Sequence, residues 1–527
     1  MCGIFGISSK DNRDDIGAIV AAALNQMQNR GDYSAGIAAI KKLGLSRRDY
    51  RRLRPLAVGH TLDDFDPLEI VKGLGKIADI FKENMAELDK LIGFMAIGQV
   101  RYPTAGYTLK NQADMTQQEI NDMVKGSIQP IVAPYHKVAM VHNGDVHNFR
   151  EIMDYFEAKG LRQATNNDLE AILKVFNEEF FSCSDMMQPA ERVAKSVKKV
   201  FDRVKGTYNV LTTMSNVGLI AFRDPNGRRP LFFGVNKDEK GEIIDYAFAS
   251  ETVALEKMLF KGTLEDKYVS GKNAYDEVKP GEMIFISKDF EFFREQIEKS
   301  NLKFCPFEGA YFSRASSFLN NKRVKAIRKD ILNSMWKRFQ NEKPEIYKRL
   351  IDNGSNVIIC PVPRTAESAA QYLVAECSKY GFVYDAAIEK NPSAPRIFMQ
   401  PTQKHRDLQT IEEHYIFEED VKDKIVILVD DSIVRGTTIM NDVKYLRDVG
   451  AKEIHIFITF PSIRNPCHHA INFHTTKELF AQNKKIEQLE NELGLNGVGS
   501  LNYAIPEDLS RATGYSLENL CNDCYVS

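Results

Sequence analysis

The sequence predicts two domains of different fold, an α+β layered sandwich followed by an α/β domain with a doubly wound parallel sheet. First, 527 residues exceed what a single hydrophobic core supports. Second, residues 2–290 are mostly short strands broken by turns, with helical stretches between them. Third, from about residue 320, continuous apolar strands alternate with amphipathic helices, which is typical of a parallel sheet.

The amino-terminal half contains five clear strand segments, which read GIFGI, AGIAAI, HKVAMVHNG, VGLIAFRD and EMIFIS. Helices are predicted over 167–182 and 190–204. Residues 41–96 are rich in charge and are expected to form a largely helical insertion. The predicted domains cover residues 2–295 and 310–527, with the boundary between 295 and 320.

The carboxyl-terminal half alternates strand and helix. The strand NVIICPV precedes a predicted helix at 365–380, and KIVILVDD precedes a second helix at 437–449 and the strand EIHIFITF. Strands that are apolar throughout are expected where helices cover both faces of a sheet. This order predicts the doubly wound arrangement.

The composition excludes several classes of protein. Hydrophobic residues make up 43% and charged residues 27%, with a net charge of −2 and no basic tract, so a nucleic-acid surface is not expected. No apolar run reaches membrane-spanning length, and no signal peptide is evident. We therefore expect a cytoplasmic protein whose eight cysteines serve in the core, in catalysis or in metal binding, not in disulfides.

The chain opens with MCGIFGI, which places a cysteine directly after the initiator methionine. If Met1 is removed, Cys2 carries both a thiol and a free α-amine, and the amine can take the proton of the thiol. The alternative interpretation is an incidental cysteine at the start of a buried strand. These seven residues alone do not decide between the two.

The segment VILVDDSIVRGTT, residues 426–438, predicts a phosphate and ribose site. A buried strand ends in Asp430 and Asp431, and a short turn through Gly436 leads into a helix that begins near Thr437 and Thr438. Free backbone N–H groups in a first helical turn bind phosphate, and adjacent carboxylates bind ribose hydroxyls or Mg²⁺. The alternative is a solvated acidic turn.

These two motifs, in this order, resemble the amidophosphoribosyltransferase family. The resemblance implies an amino-terminal class II glutamine amidotransferase domain with an Ntn-type αββα sandwich, and a carboxyl-terminal domain with the type I phosphoribosyltransferase fold. It implies that Cys2 takes the amide of glutamine and that the ammonia displaces pyrophosphate from phosphoribosylpyrophosphate (PRPP), giving 5-phosphoribosylamine. It further implies Mg²⁺, inhibition by purine nucleotides and a homo-oligomer, either a dimer or a tetramer.

Further motifs extend the resemblance through the glutaminase half. GQVRYPTAG supplies Arg101 for the α-carboxylate of glutamine, because a guanidinium holds a carboxylate bidentately. VHNGDVHN supplies Asn143 and Gly144 as the oxyanion hole. TNNDLEAI supplies Asp168 for the α-amine of glutamine. Gln99 and Tyr33 depart from the residues usual in the family.

In the transferase half the resemblance extends to CPVPRTAESAA and to residues near 390. The residues that it implies for PRPP are Pro363, Arg364, Thr365, Lys390, Arg396, Asp430, Asp431, Ser432, Arg435, Gly436, Thr437 and Thr438, with Asp430 and Asp431 also serving Mg²⁺. Residues 392–395 read PSAP and depart from the family, and an acidic stretch follows them. This departure keeps open a non-catalytic, regulatory paralogue that binds PRPP or nucleotides, or a glutaminase that feeds another acceptor.

Four cysteines stand where the iron–sulfur members of the family have their ligands: Cys305, Cys467, Cys521 and Cys524. Four thiolates, two of them from a C-x-x-C segment, suit a [4Fe–4S] cluster. Zinc is the alternative, with His468 or His469 as a substitute ligand.

Overall fold

The computed structural model describes residues 2–42, 67–82, 85–102, 125–133, 137–259, 275–363, 365–391, 414–469, 471, 473 and 475–526. The chain divides into two compact units, Met1–Phe304 and Cys305–Ser527. Among the described helices, none is both long enough and apolar enough to cross a bilayer.

The first unit consists of two antiparallel sheets with helices. Its strands are β1 Gly3–Arg13, β2 Ser34–Ile40, β3 Leu68–Leu74, β4 Gly93–Arg101, β5 Ile131–Ala133, β6 Val138–Val146, β7 Gly206–Met214, β8 Gly218–Arg223, β9 Phe232–Lys237, β10 Ile243–Ala249, β11 Tyr275–Glu277, β12 Glu282–Ser287 and β13 Phe292–Gln296. Its helices are α1 Ile16–Gln26, α2 Ile77–Lys82, α3 Met85–Lys90, α4 Phe149–Ala158, α5 Leu169–Ser182, α6 Pro189–Arg203 and α7 Thr252–Leu259.

The two sheets form the inner layers of a sandwich. One has the order β11-β9-β10-β1-β4-β2-β3 and the other β13-β12-β8-β7-β6-β5. Apolar side chains from both sheets, among them Ile4, Ile97, Val141 and Leu211, form one buried cluster. A second cluster joins the outer face of the second sheet to α5 and α6, and α1 packs on β4 of the first sheet. The predicted αββα sandwich is confirmed.

Within the insertion expected at residues 41–96, the described residues include a strand that the sequence did not predict. Leu68–Leu74 is a strand, paired antiparallel with β2, and the described residues between it and Gly93, where β4 begins, include the helices α2 and α3. The pairing satisfies backbone N–H and C=O groups along β2 that would otherwise lack partners, which local charge composition does not reveal. Residues 43–66 lie outside the described part of the chain.

The second unit is built on a parallel sheet. Its strands are β14 Phe318–Leu319, β15 Lys322–Arg323, β16 Val357–Pro361, β17 Val383–Tyr384, β18 Ile388–Lys390, β19 His414–Ile416, β20 Ile425–Asp430, β21 Glu453–Ile458 and β22 Gly499–Tyr503. Its helices are α8 Val324–Glu342, α9 Pro344–Asn353, α10 Glu367–Cys377, α11 Glu418–Val421, α12 Thr437–Asp448, α13 Ile486–Glu492 and α14 Pro506–Thr513.

Five of these strands make one all-parallel sheet of order β17-β16-β20-β21-β22, and β18 and β19 form a separate antiparallel pair. The order reverses between β16 and β20, and such a reversal leaves a crevice at the carboxyl ends of the strands. Central strand β20 is apolar until Asp430 because helices cover its faces. The predicted doubly wound sheet is confirmed.

Candidate active sites

The first candidate site lies where the two sheets of the amino-terminal unit meet at Cys2. Cys2 directly precedes β1, and Gly3 pairs with Val100, so Cys2 lies beside Arg101 at the end of β4. Cys2 is only 4% exposed. Its backbone N–H donates to Oδ1 of Asn143, on β6 of the other sheet, at 3.2 Å. The structure thus brings together three residues that the sequence predicts for glutamine chemistry.

Asn143 has an unused donor. Its side chain is fully buried, and its Nδ2 has no hydrogen-bond partner in the described structure, although buried amides are rarely left unpaired. Gly144 follows on β6, where a Cβ atom would lie 1.9 Å from the carbonyl oxygen of Thr207. The packing therefore requires glycine at 144, and the buried N–H of Asn143 beside Cys2 is suited to an oxyanion.

Arg101 and Asp168 supply opposite charges near this amide. Arg101 is buried and donates from Nη1 to the carbonyl oxygen of Ser127 at 2.7 Å. Asp168 accepts from the backbone N–H of Val146 at 2.9 Å. Burial opposes ionisation of Asp168, but the nearby His142 and Arg101 and its hydrogen bonds hold its pKa below the ordinary value. A carboxylate and a guanidinium are thus available for the α-amine and α-carboxylate of an amino acid.

A buried network that the sequence did not single out orients Asp168. Gln129 accepts from the backbone N–H of His142 through Oε1 at 2.8 Å and places Nε2 2.7 Å from Nδ1 of His142. Because the amide nitrogen of Gln129 is a donor, Nδ1 of His142 accepts, which leaves Nε2 of His142 to donate. Nε2 of His142 is 3.2 Å from Oδ2 of Asp168. His142 stood within the quoted VHNGDVHN string, whereas no sequence signal marked Gln129.

Asp145 is a second acid at the site that the sequence left without a role. It follows Gly144 on β6. Burial, with the negative charge of Asp168, raises the pKa of Asp145 to about 6, while His142 and Arg229 oppose the shift. The two departures from the family lie nearby. Gln99 donates to the carbonyl oxygen of His142 at 2.5 Å, and burial raises the pKa of Tyr33.

The second candidate site lies at the carboxyl end of β20. The backbone N–H of Asp431 donates to Oδ1 of Asp430 at 2.7 Å, and Oγ of Ser432 donates to Oδ1 of Asp431 at 2.7 Å. Burial raises the pKa of Asp431 to about 6, although hydrogen bonds from Ser432 and Thr365 and the charges of Arg328 and Lys390 act against the shift. Thr365 and Lys390 therefore both lie near Asp431.

Helix α12 begins directly after this acidic pair. Gly436 has φ +82°, and a Cβ there would lie 2.4 Å from the ring of Phe480, so both conformation and space require glycine. Thr437 and Thr438 form the first turn of α12, whose free N–H groups can hold a phosphate. Arg435 forms an ion pair with Glu478, in which Nε of Arg435 donates to Oε2 of Glu478 at 2.8 Å.

Of the remaining residues predicted for PRPP, Pro363 follows β16, which pairs with β20 and so brings the loop after it to the same edge. Lys390 ends β18 and stands opposite His414 in register. The Nδ1 of His414 lies 2.9 Å from Oδ1 of Asp442 on α12, a buried pair that the sequence did not indicate. Arg364, Arg396 and residues 392–395 lie outside the described residues.

The four predicted metal-ligand cysteines converge in the second unit. Cys305, Cys467, Cys521 and Cys524 are all free and buried. The pKa of the Cys524 thiol is well above its ordinary value because of burial and because the other three cysteines lie close by. The backbone N–H of His469 donates to Sγ of Cys467 at 3.3 Å. Side chains from three separate parts of the sequence, at residues 305, 467 and 521–524, are thus gathered close together.

Comparisons with known proteins identify a family for each of the two units. Residues 116–257 match the glutamine amidotransferase domain family, and residues 336–485 match the phosphoribosyl transferase domain family. The amidophosphoribosyltransferase of Pyrococcus horikoshii is 31% identical, covering 95% of this chain and 91% of that protein. The amidophosphoribosyltransferase of Haemophilus influenzae is 30% identical, covering 94% and 86%.

Solved structures agree over the whole chain. The glutamine PRPP amidotransferase of B. subtilis, complexed with ADP and GMP, has a TM-score of 0.73 and 27% identity, covering 100% of this chain and 96% of that one. A structure described as the allosteric regulatory enzyme of purine biosynthesis has a TM-score of 0.74 and 27% identity, covering 100% and 95%. The two site geometries and these likenesses lead to one conclusion: the chain belongs to the amidophosphoribosyltransferase family.

Proposed function

We propose that this chain makes 5-phosphoribosylamine, glutamate and pyrophosphate from PRPP, glutamine and water, which is the first committed step of purine synthesis. The observation that carries the proposal is the contact between Cys2 and Asn143. It sets the thiol of Cys2 beside a fully buried amide whose Nδ2 has no partner among the described residues. An amide buried without a partner costs free energy, so its presence beside a thiol favours a catalytic use.

In the first half-reaction, the α-amine of Cys2, freed by removal of Met1, takes the thiol proton. The thiolate attacks the amide carbon of glutamine, and Asn143 Nδ2 and the Gly144 N–H donate to the oxyanion. The C–N bond then breaks, the α-amine returns the proton to the leaving ammonia, and a γ-glutamyl thioester remains. Water hydrolyses the thioester to glutamate. Arg101 and Asp168 hold the α-carboxylate and α-amine throughout.

In the second half-reaction, ammonia attacks C1 of the ribose, and the C1–O bond to pyrophosphate breaks. We assign the ribose hydroxyls to Asp430 and Asp431, and the 5-phosphate to Ser432, Thr437, Thr438 and the N–H groups of α12 that follow Gly436. We assign the pyrophosphate to the residues around Pro363, Arg364 and Thr365, with Lys390, Arg396 and Arg435 as the basic groups. Mg²⁺ accompanies PRPP, and the two carboxylates offer the oxygen ligands that it prefers.

The cysteine site fits a [4Fe–4S] cluster better than a single zinc ion. Four thiolates on one zinc, with Zn–S near 2.3 Å, place the sulfurs about 3.8 Å apart. Among the described residues, the three ligand atoms found within 4.8 Å of one another belong to His469, Cys521 and Asp523, not to three of the four cysteines. A cluster supplies four iron positions for sulfurs that lie farther apart, and its proposed role is to fix the carboxyl terminus.

Three further expectations belong to the proposal. ADP and GMP in the similar B. subtilis structure support purine nucleotides as inhibitors of this chain. Eight free cysteines support a reducing, cytoplasmic setting. Homo-oligomerisation, to a dimer or tetramer, rests on the family resemblance. A regulatory paralogue without catalysis is not favoured, because the nucleophile and the oxyanion donors are in place.

The test is anaerobic expression followed by parallel assays of glutamate and pyrophosphate, with and without PRPP and Mg²⁺. We expect equal amounts of the two products, both lost in Cys2→Ala. Glutamate without pyrophosphate would show a glutaminase that feeds another acceptor, and PRPP binding without either product would show a regulator. Iron, sulfide and zinc analysis of the same preparation distinguishes the cluster from zinc.

A further inference from the structure

A short segment packs against the turn that precedes α12. Residues 475–481 contact this turn at three successive positions, Val434, Arg435 and Gly436. Glu478 pairs with Arg435, with its Oε2 2.8 Å from Nε. The backbone N–H of Phe480 donates to the carbonyl oxygen of Val434 at 2.8 Å. The ring of Phe480 fills the space beside Gly436 where a side chain would stand.

The carboxylate of Glu478 is itself held in place. Its Oε1 accepts from Oγ1 of Thr475 at 2.5 Å, while its Oε2 accepts from two nitrogens of Arg435. The ion pair is partly shielded, with side-chain exposures of 16% for Arg435 and 31% for Glu478. A charge-assisted pair that uses two nitrogens of one guanidinium fixes orientation as well as distance.

We propose that Glu478 is a positioning residue for PRPP, acting through Arg435 to hold the turn 431–437 in its phosphate-binding conformation. This inference rests on the proposed function of the turn. Gly436 has a left-handed backbone, and glycine has many other conformations open to it. A turn fixed before the ligand arrives does not lose that freedom on binding, and so binds the ligand more tightly. Nothing in this role requires Glu478 to touch PRPP.

The test compares Glu478→Ala, Glu478→Gln and a control in the anaerobically prepared full-length protein. Glu492→Ala is the matched control, because Glu492 forms a surface ion pair with Lys484 at 2.7 Å in the same unit. PRPP binding is measured by calorimetry, and the KM for PRPP and kcat from pyrophosphate release.

We expect Glu478→Ala to raise the Kd and KM for PRPP about tenfold, the effect of losing one charge-assisted hydrogen-bonded contact. We expect kcat at saturating PRPP and the KM for glutamine to stay within about twofold. Glu478→Gln keeps the acceptor for Arg435 and should recover most of the affinity, and Glu492→Ala should match the unaltered protein.

Equal PRPP affinity in the unaltered protein and in a folded Glu478→Ala variant would overturn the inference and leave the proposed function intact. If Glu478→Ala does not fold, a Glu478→Gln variant with an affinity as low as that of Arg435→Ala would also overturn it. Failure of the unaltered protein to bind PRPP would overturn the proposed function, and the inference with it.

Discussion

Replacing Asn143 with alanine separates catalysis from stability. The variant loses an amide N–H that no other group in the described structure uses, together with the Oδ1 that accepts from the Cys2 N–H, and keeps Gly144 and the charged groups. Loss of one oxyanion donor raises the barrier by about 2.7–4 kcal/mol, so kcat for glutamate release should fall about 10²- to 10³-fold. The KM for glutamine should change little, because the donor acts on charge that develops only in the transition state.

The same substitution should cost little stability. The variant loses one neutral hydrogen bond, from the Cys2 N–H to Oδ1, which lowers the free energy of unfolding by about 1 kcal/mol. The Nδ2 of Asn143 has no partner among the described residues, so its removal breaks no further hydrogen bond. The matched control is Asn236→Ala. Asn236 is also buried, and its Nδ2 donates to Oδ2 of Asp245 at 2.8 Å. A bond to a charged acceptor contributes about 1.5–3 kcal/mol, so the control should lose more stability and keep its kcat.

The assay is anaerobic glutamate release at saturating glutamine, with urea unfolding of the same preparations and mass analysis to verify removal of Met1. The two variants should rank in opposite order by kcat and by the free energy of unfolding. A kcat for Asn143→Ala within about threefold of the unaltered protein would refute the oxyanion role. So would an Asn236→Ala variant with an equal loss of kcat, because the loss would then follow from any buried amide.

Three further predictions concern charge and cysteine. Asp145→Asn should raise the free energy of unfolding, measured with urea, by up to about 3 kcal/mol at pH 7.5 and have little effect at pH 4. The pKa of Asp145 is about 6 in the folded state and 3.8 ordinarily, so the folded state holds the proton to higher pH than the unfolded state does. Ionisation of this carboxyl therefore weakens the fold as pH rises from about 4 to 6. An equal effect at both pH values would contradict this. Arg101→Lys should raise the KM for glutamine about 10- to 100-fold, because lysine cannot grip a carboxylate bidentately, and an unchanged KM would rule out the clamp. Cys524→Ser should lower iron and sulfide content and the thermal midpoint. Cys377 is a buried cysteine that is not among the four proposed ligands, so Cys377→Ser should retain iron; equal iron in both variants would exclude Cys524 as a ligand.

Sequence patterns predicted the elements well where local periodicity decides them. The apolar run before Asp430 and the amphipathic stretch after Gly436 marked β20 and α12 almost to the residue. Strand β3 was not predicted, because what makes this segment a strand is its pairing with another strand, β2, whose backbone groups it satisfies. Periodicity within a segment carries no information about the partner that the segment will find.

The residues of the two candidate sites divide in the same way, into those that a local pattern marks and those that only a contact in the fold reveals. Cys2, Arg101, Asn143 and Asp168 were singled out from the sequence because each lies in a motif that resembles a known family. Gln129 and Glu478 were not, because each lies outside such a motif and contacts it only in the folded chain. A single glutamine or glutamate among many has no distinguishing sequence signal until the fold shows what it touches.

The contact between Cys2 and Asn143 also bears on the timing of synthesis. Cys2 is 4% exposed in the folded unit, and Asn143, whose side chain accepts from the Cys2 N–H, lies 141 residues further along the chain. At about 5–20 residues per second, the ribosome adds those residues in roughly 7–28 s. During that interval the start of the chain cannot yet be enclosed by β6, so an aminopeptidase has access to it. We therefore expect Met1 to be removed during translation, and a chain that folds with Met1 in place to lack the free α-amine that the proposed mechanism requires.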